Sequence, residues 1–165
     1  MNYRHFLGLG LSMLFCELAG VLGSFFTLSS VRGWYLTLAK PALNPPSFVF
    51  GPVWTLLYAL MGVALYLVLR QGGEGALSMG RVRRVRLAVL VFLLQLSLNI
   101  LWSVAFFGLQ SVAGALVVIL LLWLSIVWTM QLFAKQSRAA AWMLVPYLLW
   151  VTFAVYLNLM IWTLN

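Results

Sequence analysis

Residues 34–50, "WYLTLAKPALNPPSFVF", form the one long stretch of this chain that is not a plain apolar run, and they lie between two such runs. Pro41, Pro45 and Pro46 lack a backbone N–H and disfavour helix in the residues before them, so the segment is expected to be extended. Trp34 and Tyr35 carry too much apolar surface to be left in water. A connector built this way is expected to fold back over the mouth of the structure its flanking runs form. It reads as a lid over about residues 30–47, with Trp34, Lys40 and Pro46 among its members.

The rest of the chain says what that structure is. Hydrophobic residues make up 65% and charged residues 7% of 165 residues, against roughly 45–50% and about 25% in soluble globular proteins. The length suits a single domain, here a membrane domain over residues 1–165. The net charge of +8 sits in short gaps between apolar runs and forms no basic face, which argues against nucleic acid as a partner. Cys16 is the only cysteine and lies within an apolar run, so neither an internal disulfide nor a thiolate metal cluster is available. The basic start resembles a signal peptide, but its apolar run is too long and Glu17 interrupts it, which favours a retained first span.

A hydrocarbon core of about 30 Å calls for around 20 apolar residues per helix. Cutting the chain at its polar and Gly/Pro breaks gives five such runs, about 6–28, 48–69, 87–107, 112–133 and 140–164. The expected fold is therefore an all-α bundle of five transmembrane helices. The short links "GLQS" and "AKQSRA" force the third, fourth and fifth spans to be antiparallel neighbours, while "QGGEGALSMGRVRRVR" reads as a glycine-punctuated basic loop. Of the ten lysines and arginines, eight fall on the face of the N-terminus and two, Arg32 and Lys40, on the other. Positive charge stays inside, so the N-terminus is expected in the cytoplasm and the C-terminus outside, with anionic lipid headgroups as partners of the basic face.

In lipid the helices satisfy their own backbone, so function has to come from side chains facing inward. Trp54 and Tyr58 share a face of the second span. Gln95, Asn99, Trp102 and Phe106 form a stripe on the third, and Tyr147, Trp150, Ala154 and Asn158 one on the fifth. Amides often serve as interhelical glue and aromatics as interfacial belts. Trp54 and Trp102 lie too deep for a belt, however, and converging aromatic walls with a few polar handles suit a pocket for a flat, mostly apolar ligand. Ala154, small among large neighbours, would be where that wall recedes. Glu17 sits near the middle of the first span, where a charged acid costs about 2.5–3.5 kcal/mol on insertion scales. It is either protonated or hydrogen-bonded, or it is functional. The pairs Ala19/Gly23 and Gly20/Ser24 would allow a close helix approach. His5 is a lone histidine, no metal site is expected, and no set of acids, bases or nucleophiles suggests a catalytic residue.

At this point the residues resemble a known family. "WYLTLAKPALNPPSFVFGPVWTLLYALMG", then "LNILWSVAFFG" and "VPYLLWVTFAVYLNLMIWTLN" in order, are similar to the TspO/MBR family, the tryptophan-rich sensory proteins related to the mitochondrial translocator protein. The resemblance covers nearly the whole chain. It implies a five-helix bundle in a bacterial cell membrane, able to pair as a homodimer, whose capped pocket binds porphyrins and haem-type tetrapyrroles as ligands, with no obligatory cofactor. By matching positions, Tyr35, Pro45, Trp54, Tyr58, Asn99, Trp102, Trp150 and Ala154 would line it. In some bacterial relatives porphyrin is degraded in light through pocket tryptophans, which would correspond to Trp54 and Trp150. The basic residue of the animal cholesterol-recognition pattern is missing after Tyr156, so sterol binding through that pattern is not implied. Two other classes compete. One is a small proton-coupled multidrug exporter using Glu17, against which stand five spans and no second acid within them. The other is a purely structural subunit, for which convergent aromatic stripes would have no use.

Overall fold

A computed structural model of the chain describes residues 3–73 and 79–165. Its elements in chain order are α1 (Tyr3–Val31), a short α2 (Trp34–Thr37), a 3-10 turn (Ser47–Val49) that leads into α3 (Phe50–Gly73), and α4 (Met79–Ser103). A wide π turn (Val104–Gly108) extends α4, and α5 (Val112–Ala134), α6 (Arg138–Met143) and α7 (Val145–Leu164) complete the chain. Five stretches are long and apolar enough to cross a membrane: His5–Val31, Ser47–Gly72, Met79–Gly108, Val112–Ala134 and Arg138–Leu164. The five-helix membrane bundle read from hydropathy is therefore the architecture.

Three local expectations need correction. The basic stretch before the third span is not all loop. Gln71–Gly73 end α3, while Met79–Arg86 form the first two turns of α4, with Arg81, Arg83, Arg84 and Arg86 exposed around a buried Val85. Alternating arginine and valine keeps enough apolar surface on one side for the helix to continue past the hydrophobic run. Residues 74–78, including Glu74, lie outside the described residues. The second correction concerns the fifth span, which is α6 and α7 meeting at Leu144. Pro146, at the start of α7, has no N–H for the ladder and crowds the preceding turn. The lid connector, finally, is not extended throughout. Trp34 and Tyr35 sit on the helical turn α2, and the extended path begins at Leu38.

The linkers are closed by local chemistry. Ser111 caps α5 by accepting from the Gly114 N–H, and Ser137 caps α6 by accepting from that of Ala140. Gln110 takes a left-handed φ of 53° to turn the chain between α4 and α5. The half of the bundle nearer the N-terminus is filled. Met61, Phe92, Ile119, Leu122, Ile126, Phe133 and Tyr147 are buried there, with Phe92 and Phe133 stacked at 5.6 Å. α1 crosses α3 most closely at Gly62, where an added Cβ would overlap the backbone of Met13. The other half, toward the 32–49 connector, is hollow.

Candidate ligand cavity

That hollow is a cavity of about 510 Å³ bounded by α1, α3, α4 and α7, within the range of small-molecule sites. α1 contributes one side, from Glu17 through Ser24 and Thr27 to Arg32. Antiparallel to it runs α3, from Tyr58 through Trp54 and Gly51 back to Ser47, so Glu17 lies level with Tyr58 and Arg32 level with the start of α3. Asn99, Trp102, Phe106 and Phe107 form the back, and Ala154, Leu157, Asn158 and Ile161 close the far side. Several lining residues are also exposed on the outer surface, among them Val21, Leu28, Phe48, Gly51 and Thr55. α1 and α3 touch at Gly20 and Tyr58 and again at Gly62. Toward the connector they separate, and the cavity opens sideways between them. No atom comes within 4 Å of a Cβ built at Gly51, on the edge of that gap.

The floor is a polar relay in an otherwise apolar core. The Tyr58 hydroxyl donates to Asn99 Oδ1, and Asn99 Nδ2 donates to the Tyr147 hydroxyl at 3.0 Å. All three residues are buried. Trp54 lies 5.5 Å from the Tyr58 ring and edge-on to Tyr147 at 6.2 Å, so the relay also fixes the indole. On the back wall Trp102 Nε1 donates to Asn158 Oδ1 at 3.1 Å, while Asn158 Nδ2 donates to the Val112 carbonyl at 2.9 Å. These bonds tie the Trp102 indole by its polar edge to α7 and, through Asn158, to the start of α5. Replacing Asn99 by leucine would strand two buried phenols. It should cost about 2 kcal/mol of stability, checked by thermal unfolding in detergent, with loss of the 58–99–147 relay read as increased mobility of the Trp54 fluorescence.

The lid is assembled by aromatic contact. The π turn at 104–108 brings consecutive phenylalanines, Phe106 and Phe107, 4.8 Å apart, against Trp102 on one side and Tyr35 on the other. Trp34 meets Phe106 edge-on at 5.7 Å. The Tyr35 hydroxyl donates to Asn44 Oδ1 at 2.9 Å, and Lys40 Nζ lies 4.7 Å from the centre of the Tyr35 ring. Burial raises the Tyr35 phenol above its usual pKa, which keeps it a neutral donor. Asn165 then clasps the connector, accepting from the Ala39 N–H at 3.0 Å and donating to the Ala39 carbonyl at 3.1 Å.

Nine residues from the stripes, the lid and the intramembrane acid line the cavity: Glu17, Tyr35, Trp54, Tyr58, Asn99, Trp102, Phe106, Ala154 and Asn158. Others stand off it. Tyr147 is fully buried behind Trp54, in the relay. Trp150 packs edge-on against Phe50 at 6.0 Å and beside Phe153, so Phe50 lies between it and the hollow. Pro45 and Pro46 set the path of the connector, Trp34 covers Phe106 from outside, and Lys40 is engaged with Tyr35 and the Leu38 carbonyl. The small-residue pairs on α1 divide their roles. Gly20 receives the Tyr58 ring and Gly23 faces Ser103, and both line the cavity together with Ser24. Toward the outer end of the α1 side, Thr27, Leu28 and Arg32 were not singled out from sequence as site residues.

Comparison with known proteins agrees with the five-span architecture. The TspO/MBR family profile matches residues 12–163. The chain is 45% identical over 162 residues to the tryptophan-rich protein TspO of Chlorobaculum tepidum, covering 98% of each chain. It is 37% identical to the protein CrtK of Rhodobacter capsulatus, over 91% of this chain and 88% of that one. With the translocator protein of Homo sapiens it shares 36% identity over 90% of this chain and 86% of the other. Five apolar spans, a lidded cavity between them and a match over nearly the full length make this chain a multi-pass membrane protein that belongs to the TspO/MBR family.

Proposed function

We propose that the chain is a membrane receptor for porphyrins and related tetrapyrroles, which it holds non-covalently in the cavity between α1, α3, α4 and α7. The observation that carries this reading is the wall itself. Trp54, Tyr58, Trp102 and Phe106 line a space of about 510 Å³, while the Tyr58 hydroxyl and the Trp102 indole N–H are engaged with Asn99 and Asn158. Such a surface matches a broad, flat, polarizable ligand by dispersion and ring stacking. Relatives named tryptophan-rich sensory protein, in Cereibacter sphaeroides, and translocator protein fit a binding or sensing role. Under the positive-inside rule the basic N-terminal face lies in the cytoplasm, which puts the lid on the outer side of a bacterial cell membrane. Glu17 faces the cavity as an exporter's proton carrier would, but the aromatic wall above it favours the tetrapyrrole.

The test is titration of detergent-purified protein with protoporphyrin IX in the dark, followed by tryptophan quenching, with an unrelated five-span protein as control. Saturable quenching in the low micromolar range is expected for this chain only. Quenching that rises without saturation in both proteins is partition into detergent and would sink the reading. Under illumination, any light-dependent loss of bound porphyrin is expected to slow in Trp54→Phe, whose indole faces the ligand space. Trp150→Phe, one ring further out, should slow it less. Equal rates in both variants and the parent, followed by porphyrin absorbance, would remove these indoles from the chemistry.

A further inference from the structure

Nothing in the aromatic wall tells one flat apolar ligand from another, so discrimination has to come from charge. Arg32 is the one cation among the lining residues, at the outer end of the cavity beside Tyr35 and Ser47. It makes no ion pair or side-chain hydrogen bond among the described residues. The acid that lines the cavity, Glu17, lies about 22 Å away along α1 at 1.5 Å per residue. Lys40, the other cation on this face, is already engaged with the Tyr35 ring and the Leu38 carbonyl. A guanidinium presents a planar fork of donors that matches a carboxylate in a bidentate pair.

We propose that Arg32 is a specificity-determining residue that pairs with an anionic group, a carboxylate, on the edge of a ligand whose ring system lies against Trp54 and Trp102. This rests on the tetrapyrrole reading and adds to it an orientation and a selection rule. The acidic edge points outward to Arg32 under the lid, and the apolar edge points inward toward Tyr58. Ligands of the same ring without an acidic edge bind, but more weakly.

The experiment compares protoporphyrin IX, a dicarboxylic acid, with its uncharged dimethyl ester. Both are titrated in the dark in a neutral detergent against the parent chain, Arg32→Gln and Arg32→Lys. The parent is expected to bind the acid about tenfold more tightly than the ester. Arg32→Gln should lose that tenfold while leaving ester affinity within twofold, and Arg32→Lys should recover part of it. Raising the salt concentration should weaken only the acid. Equal weakening of acid and ester in Arg32→Gln would mean that the residue merely supports the lid, and overturns the proposal. So would equal binding of acid and ester by the parent, the pattern expected if Arg32 only reaches a lipid phosphate. Saturable binding of both ligands without discrimination leaves the tetrapyrrole reading standing. Saturable binding of neither removes both readings together.

Discussion

Replacing Ala154 by tryptophan is expected to abolish saturable porphyrin binding while leaving the bundle folded. Ala154 is half-buried on α7 and lines the cavity on the side away from α1. An indole there would point into empty space, so it displaces ligand without overlapping neighbouring side chains. The expected loss is at least a hundredfold in affinity, about 2.8 kcal/mol. The thermal midpoint should stay the same or rise, because the added ring fills a void. Ala154→Ser is the matched control and should bind as the parent does. If the tryptophan variant kept its affinity, the ligand would have to lie elsewhere than between α1 and α7.

The second large effect concerns assembly of the bundle. Gly62→Leu should cost about 3 kcal/mol or more, read as a lower thermal midpoint or loss of monodisperse protein, because the Met13 backbone occupies the position of a Cβ at Gly62. The strain cannot be relieved by a rotamer change, since the obstacle is main chain, and α1 would have to move off α3 along its length. Gly10→Leu on the neighbouring helix is the comparison. No atom lies within 4 Å of a Cβ at Gly10, and replacing glycine in a helix gains up to about 1 kcal/mol in propensity. Equal stability of the two variants would place the α1–α3 contact somewhere other than Gly62.

These two glycines show what the sequence could and could not convey. Both sit in apolar helices, and only the crossing of α1 over α3 makes one indispensable. The small residues that drew attention, Gly20 and Ser24, turned out to serve a tyrosine ring and a cavity. The back of the site was legible because Asn99, Trp102 and Phe106 recur at helical spacing, and the amide and the indole carry polar groups that need partners. On the α1 side Glu17 stood out, but Thr27 and Leu28 did not, because the rest of that helix is apolar nearly all round and a cavity is a gap between helices, which no single helix encodes. Trp150 follows the same periodicity as Ala154 but lies a turn earlier, where Phe50 already closes the wall. The break in the fifth span was missed, because the apolar run continues unbroken across Pro146, whose missing N–H interrupts the helix there. The helical continuation through Arg81–Arg86 was hidden by its charge.

The clasp of Asn165 on Ala39 sets how often this end of the cap stands open at equilibrium. Two hydrogen bonds at the membrane edge hold the Ala39 end of the connector to the end of α7, with a net worth of about 1–3 kcal/mol together. A latch of that strength is undone by thermal motion in roughly one molecule in six to one in 160. This end of the cap therefore breathes, at no energetic expense to the packed half of the bundle. Passage of a ligand by way of the connector, as distinct from the sideways gap between α1 and α3, would draw on this open fraction, and changing the latch would change that fraction without altering the walls that grip the ligand.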